Sequence, residues 1–295
     1  DKSVLENIRK MPFIESAELA GGYLNVRFST AHLLDVITEI SRLYQTGEGI
    51  SALFGKTKGT IMVEFCSPNT NKPLHLGHLR NIFLGESLSR ILSLNHEKII
   101  RCNLLNDRGI HICKALYAWI HFYGKTRAGK GDHIAGMCYS AFENKSKEDP
   151  SLIEHARALL KKWEENDEET RKLWHEFTEM VISGFNETFK MLNVKFDRVE
   201  RESQTYHYGK RLVIDNLQKG IFKRDENGGV FASTPYGKKY LLRSDETSIY
   251  ITQDLGTAFM RIQEFPQLTG IYYVVASEQN HHFNVLFYLL SEIGF

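Results

Sequence analysis

The chain is 295 residues long, with 42% hydrophobic, 12% aromatic and 25% charged residues, a globular composition that fits one large domain or two modest ones. Thirty-seven Lys and Arg against 36 Asp and Glu leave a net charge of +1, which excludes nucleic-acid binding by bulk charge but not a local basic patch. No uncharged apolar run reaches membrane-span length, no signal-peptide pattern opens the chain, and the four Cys form no CxxC pair; no membrane association, reduced thiols and a cytoplasmic location are the expectations.

Residues 23–28 (YLNVRF) alternate as a strand, and Thr30 is the expected cap of a helix from His32 to Tyr44, with Leu33, Val36, Ile37, Ile40 and Leu43 at helical spacing. The Gly-rich stretch Thr46 to Gly59 reads as a linker. Residues 60–66 (TIMVEFC) form a strand with one interruption, Glu64, and end in Ser67-Pro68-Asn69. Leu76 to Leu94 reads as a helix that is apolar on more than one side and hence buried. A strand at Lys98 to Asn103 follows, then a helix from Asp107 with Ile112, Leu116, Trp119, Ile120 and Tyr123 on one face.

Strand, helix, strand, helix predicts a parallel sheet covered by helices, with ligands at the carboxyl ends of its strands. From Gly124 to about Tyr240 the pattern breaks into a polar Gly/Lys loop, two long charged helices and hairpins around Asn227-Gly228-Gly229, an insertion. The α/β pattern resumes with strand 247–252, helix 254–264, strand 270–276 and helix 282–293. The expected division is 1–58, a small α+β piece with its linker; 59–124, the first half of an α/β domain; 125–240, the insertion; and 241–295, the second half. With Asp at residue 1 and a helix still running at the last residues, the chain is expected to be part of a longer one.

The segment Ser67 to Arg80 (SPNTNKPLHLGHLR) concentrates the chemistry. Its core, His75-Leu-Gly77-His78, sits at a strand-to-helix junction, and random order at this composition produces HxGH only about 0.04 times per chain. Imidazoles at i and i+3 share one side of the first helical turn, where backbone N–H groups are unpaired and the helix dipole is positive. A phosphate there would meet N–H donors, His75, His78 and the charge of Lys72. Gly77, without a side chain, allows a flat ring such as adenine close to the backbone. Two His do not complete a tetrahedral zinc set, and the adjacent His281 and His282 point to different sides of a helix, so no zinc or other bound metal is expected.

Ser67 to Arg80 resembles the first signature of class I aminoacyl-tRNA synthetases in its arginine-specific version. Asn103 to Gly109 (NLLNDRG), Leu242 to Asp254 (LRSDETSIYITQD) and Tyr273 to Gln279 (YVVASEQ) are similar to arginyl-tRNA synthetase segments in the same order, and residues 13–28 resemble the end of that family's N-terminal additional domain. The resemblance implies a Rossmann-like catalytic domain with a mostly helical insertion. It implies ATP and L-arginine as substrates for arginyl-adenylate formation, Mg2+ on the leaving pyrophosphate, and transfer of arginine to the 3′ end of tRNA(Arg); a monomer is expected. It assigns ATP to His75, Gly77, His78 and Lys72, with catalysis by His75, His78 and Lys72. It assigns arginine to Glu64, Ser67, Asn69, His78, Tyr250, Asp254 and Gln279. A guanidinium suits Asp254 with Tyr250, because a carboxylate and a hydroxyl match its planar fork of donors. Glu64 in an apolar strand needs a cation partner, since an unpaired buried carboxylate is costly.

Two departures stand out: Gln253 where the family has Arg before the aspartate, and Asn106-Asp107-Arg108-Gly109 where many members have Gly-Asp-Trp-Gly. The family's second signature, a KMSKS-type phosphate-clamping loop, and its helical anticodon-binding domain would lie beyond residue 295, so the chain alone is expected to be poorly active or inactive. The alternative is a non-catalytic synthetase-like module that binds arginine or an adenylate.

Overall fold

The computed structural model describes residues 2–55 and 57–295, and the chain divides into two units, Asp1–Lys58 with Leu92–Glu97, and Gly59–Ile91 with Lys98–Phe295. In the first unit, helix α1 (Lys2–Arg9) precedes an antiparallel hairpin of β1 (Ile14–Ala20) and β2 (Tyr23–Phe28), which turns through Gly21-Gly22. Helix α2 (Thr30–Gln45) is capped by Ser29, whose Oγ accepts from the His32 N–H at 3.2 Å; Thr30, the expected cap, is already helical. Of the apolar face read from the sequence, only Leu43 is buried. Among its described residues, the expected linker contains a 3-10 turn at Ile50–Leu53, and its last three begin the strand Thr57–Glu64.

The larger unit is built on a four-stranded sheet of β3 (Thr57–Glu64), β4 (His96–Leu105), β5 (Arg198–Arg201) and, late in the chain, Leu268–Tyr273, in the order β5-β4-β3 and then the late strand. β4 pairs with β5 in parallel, and so does β3 with the late strand. Helix α3 (Leu76–Leu92) connects β3 to β4, and α4 (Ile110–His121), α5 (Gly131–Glu148), α6 (Leu152–Glu164) and α7 (Glu168–Met191) lead from β4 to β5. The two long helices expected after Gly124 are thus three, and the span 125–240, expected as an insertion, itself supplies the edge strand β5. That strand is four residues long, too short to show a period of its own.

After β5 come α8 (Glu202–Gln218) and a small antiparallel sheet of β6 (Lys223–Arg224), β7 (Val230–Thr234) and β8 (Gly237–Leu242), the first hairpin turning at Asn227-Gly228. Residues 247–252, expected as a strand, are not one: Ser248 makes an isolated bridge to Leu242, and helix α9 (Tyr250–Glu264) begins at Tyr250. The β-branched run reads as a strand, but its inward residues Ile251, Leu255 and Ala258 follow helical spacing once the helix has started. The late strand is β9 (Leu268–Tyr273), followed by α10 (Asn280–Glu292).

Packing fixes these elements. Helix α8 meets α9 at two glycines: a Cβ on Gly209 would lie 2.0 Å from the Thr252 carbonyl oxygen, and one on Gly256 2.2 Å from the Gly209 nitrogen. Leu212, Val213, Ile251, Leu255, Leu241, Val285, Leu286 and Leu289 form one buried cluster, so α8, α9, α10 and β8 share a core. Helix α3 buries one side only, through His78, Ile82, Gly85 and Ser89; Leu76, Phe83, Leu84 and Ile91 are exposed, against the expectation of burial all round. All four cysteines are free and buried. The chain runs β3, β4, β5 in one direction and then returns to place β9 on the far side of β3, so the switch point lies at the carboxyl ends of β3 and β9, where Glu64 pairs in register with Tyr273.

Candidate functional site

Beyond β3 the backbone turns sharply. Cys66 and Ser67 take φ of 76° and 45°, two successive non-glycine residues in the left-handed region, a conformation that costs about 1–3 kcal/mol each. Four contacts hold the turn. Ser67 N–H donates to Asn103 Oδ1 at 3.1 Å, Ser67 Oγ donates to Glu64 Oε1 at 3.1 Å, Asn106 N–H donates to the Pro68 carbonyl at 3.0 Å, and Thr70 N–H to the Asn106 carbonyl at 3.0 Å. Asn69 bridges Asn106 in parallel, so the loop after β3 is zipped to the loop after β4. Glu64, Ser67 and Asn69 are thereby brought to one end of the sheet.

The two imidazoles lie against each other, with ring centroids 3.9 Å apart. His75 N–H donates to His78 Nδ1 at 3.1 Å, and Gly77 N–H donates to His75 Nδ1 at 3.1 Å. A neutral ring that accepts at Nδ1 carries its proton on Nε2, so both present an Nε2–H donor. Two of the free N–H groups of the helix start are spent on the rings and are not open to an anion. The Cβ position of Gly77 is 3.0 Å from the His75 ring, so the absent side chain makes room for that imidazole first. His75 is exposed, whereas His78 is 9% exposed and lies on the inward row of α3, not in an open cleft. Burial, then the neighbouring His75 and Lys72, lowers its pKa to about 4. His78 is therefore a neutral donor at neutral pH. Lys72 faces a separate depression with Pro73, His133 and Tyr139 of the α5 side, although its charge is felt at His78.

Glu64, 7% exposed, has its cation partner inside the chain. Arg261, fully buried in α9, donates from Nη2 to Glu64 Oε2 at 2.6 Å and from Nε and Nη2 to Glu200 Oε2 at 2.9 and 2.7 Å. One guanidinium thus serves two carboxylates, and its Nη1 is buried without a partner among the described residues. Burial pushes the Glu64 carboxyl up, Arg261 pulls it down, and the like charges of Asp254 and Glu200 push it up again. Glu200 is also pushed up by burial, but Arg261 and Arg198 together hold it below the usual range. The sequence reading missed Arg261, although it continues the inward row Ile251, Leu255, Ala258 of α9, where a charge needs a buried partner.

Tyr250 and Asp254 stand four apart on α9, hence on one face. Tyr250 is 75% exposed. Asp254 is the fifth helical residue, not a cap, and its Oδ2 accepts from His282 Nε2 at 2.6 Å. His282, in the first turn of α10, went unassigned in the sequence, where only its separation from His281 was read. Gln279, just before α10, is exposed, and its side chain makes no hydrogen bond that caps the helix.

A cavity of about 870 Å³ opens beside Tyr250 and Gln253, with Arg108, Glu164, Glu202, Tyr206, Lys210 and Arg243 in its lining. Asp107 caps the start of α8 by accepting from Ser203 N–H and Oγ at 2.8 and 2.7 Å. Arg108 stacks 4.2 Å over Tyr206 and pairs with Glu164 at 3.0 Å. Glu202 is 8% exposed, and burial raises its pKa to about 7 against the pull of Arg108. No three His, Cys, Asp or Glu side chains converge as a metal site among the described residues.

A family profile described as tRNA synthetases class I (R), catalytic domain, matches residues 41–295. The chain is 42% identical to the arginine–tRNA ligase of Parabacteroides distasonis, over 98% of this chain and 52% of that protein. It is 41% identical to that of Bacteroides fragilis, over 96% and 51%. It thus spans about half the length of the curated relatives it matches. Among solved structures, arginyl-tRNA synthetase from Plasmodium falciparum superimposes with a TM-score of 0.69 at 20% identity, covering 98% of this chain and 52% of that one. The Thermus thermophilus arginyl-tRNA synthetase gives 0.60 at 25% identity, over 90% and 45%. The α/β sheet with its switch point, the strand–HxGH–helix turn and the profile match over most of the chain agree: this chain belongs to the family of class I tRNA synthetase catalytic domains of the arginine type.

Proposed function

We propose that the chain activates L-arginine with ATP, forming arginyl-adenylate and pyrophosphate, and passes the arginyl group to the 3′ end of tRNA(Arg). The observation that carries this reading is the imidazole pair with both Nδ1 atoms occupied by backbone N–H groups. Its Nε2–H donors are oriented before any phosphate arrives, so stabilising negative charge costs no reorganisation.

In the reaction an arginine carboxylate oxygen attacks the α-phosphorus in line, the P–O bond to pyrophosphate breaks, and no bond to the protein forms. His75 and His78 hydrogen-bond phosphate oxygens as their charge grows, Lys72 adds a positive charge from the loop before α3, and Gly77 leaves room for the His75 ring and the nucleotide. Magnesium enters with the triphosphate as part of that substrate. Glu64, Ser67 and Asn69 receive the amino acid's polar head. Glu64 can do so because Arg261 is shared with Glu200 and leaves Glu64 only partly neutralised. Tyr250 and Asp254 take the guanidinium, and Gln279 contributes from the rim. The divisions 1–58, 59–124, 125–240 and 241–295 are the working domain scheme, with β5 as the part of 125–240 that joins the catalytic sheet.

Arginine-dependent ATP–pyrophosphate exchange by the full-length protein, with and without tRNA, tests the reading. Exchange with arginine and none with lysine is expected. Arginine binding without exchange under either condition would replace it with the non-catalytic module.

A further inference from the structure

We infer that His282 is a positioning residue for Asp254, holding the carboxylate in the one orientation that accepts a planar guanidinium. This rests on the reading that Asp254 receives the arginine side chain. His282 Nε2 lies 2.6 Å from Asp254 Oδ2, while Oδ1 has no partner among the described residues. The two groups stand on different helices, but both helices are anchored in the same buried cluster, α9 through Ile251 and Leu255 and α10 through Val285, Leu286 and Leu289. The donor is thus fixed by packing relative to the acceptor. Without it, an aspartate whose side chain is a third exposed turns freely about its last torsion, and a fork of two parallel N–H donors meets a carboxylate plane at random.

One bond to Oδ2 removes that freedom and leaves Oδ1 and a second lone pair of Oδ2 for the fork. Lysine, a point donor, gains little from a fixed plane, so the device acts on discrimination more than on charge attraction. The nearby Lys239 does not compete for Asp254, because its Nζ lies 3.0 Å from His281 Nε2.

The test is calorimetry of L-arginine and L-lysine on the full chain. His282→Phe keeps the bulk and removes the donor; it should weaken arginine about tenfold and change lysine less than about twofold. His282→Gln keeps an N–H near the Nε2 position and should restore arginine to within about threefold of wild type. Unchanged or tighter arginine binding by His282→Phe overturns the inference, since the histidine would then be inert or a plug. Asp254→Asn separates the two layers: if it weakens arginine about 30- to 100-fold while His282→Phe leaves arginine affinity unchanged, Asp254 stands as the guanidinium partner and the positioning role falls; if it has no effect, the assignment of Asp254 itself falls. Where His282→Phe fails to fold, NMR of wild type decides: saturating arginine should shift the His282 ring resonances, and unmoved resonances overturn the inference.

Discussion

The two halves of the candidate site are organised by opposite means. On the α3 side the working groups satisfy one another within four residues, His75 with Gly77 and His78 with His75. Across from it, the two candidate carboxylates are held from far along the chain: Glu64, at the end of β3, by Arg261 of α9, and Asp254 of α9 by His282. Local satisfaction needs only the right spacing, so it survives changes elsewhere. Distant satisfaction makes the site as dependent on the core as the core is on itself.

The sharpest way to break this contrast is Arg261→Met. It leaves Glu64 buried with no cation and Glu200 with Arg198 alone, and the unfolding free energy from denaturant curves should fall by about 3–5 kcal/mol. Adding Glu64→Gln and Glu200→Gln to the same chain should recover most of that loss, whereas no recovery would mean that Arg261 acts by packing. Glu202 gives the next effect. With a pKa near 7 in place of 4.5, the folded chain holds a proton that the unfolded chain has shed, so stability falls as pH rises from about 4.5 to 7 and is level above. Glu202→Gln should remove this slope and gain about 3 kcal/mol above pH 7; parallel stability–pH curves for the two proteins would contradict it.

Asp254→Asn should weaken arginine binding about 30- to 100-fold, less than for a fully buried pair because Asp254 is a third exposed, with ATP affinity nearly unchanged in the same calorimeter. A titration tests the local side. His78 should titrate near 4 by NMR, and because that lies below the ordinary 6.5, its contribution to stability is complete above about pH 6.5 and lost as pH falls towards 4. A midpoint near 6.5 would place the ring in water.

This contrast also explains what could be read from residues alone. The strand–turn–helix at 60–80, the parallel sheet and the HxGH turn all rest on short-range spacing, and the sequence carried them. Tyr250 was misplaced onto a strand because a run of β-branched residues has the same local preference before a helix as within a sheet, and only the packing of α8 on α9 through Gly209 and Gly256 decides. The acid Glu64 announced a missing cation, but nothing local said whether it was a substrate or Arg261, nearly 200 residues away. His282 carried no signal beyond its helix, since its role depends on α9 being its neighbour.

The four cysteines carry a consequence for measurement. All lie in the larger unit, all are buried, and burial raises the thiols of Cys66 and Cys113 to about 12 and of Cys138 to about 11. A protonated, covered thiol does not react with an alkylating reagent, so labelling proceeds only through openings of that unit. The smaller unit contributes no thiol to the signal. The rate of mass increase in iodoacetamide is therefore a clock for the opening of the catalytic unit alone, readable without a mutation.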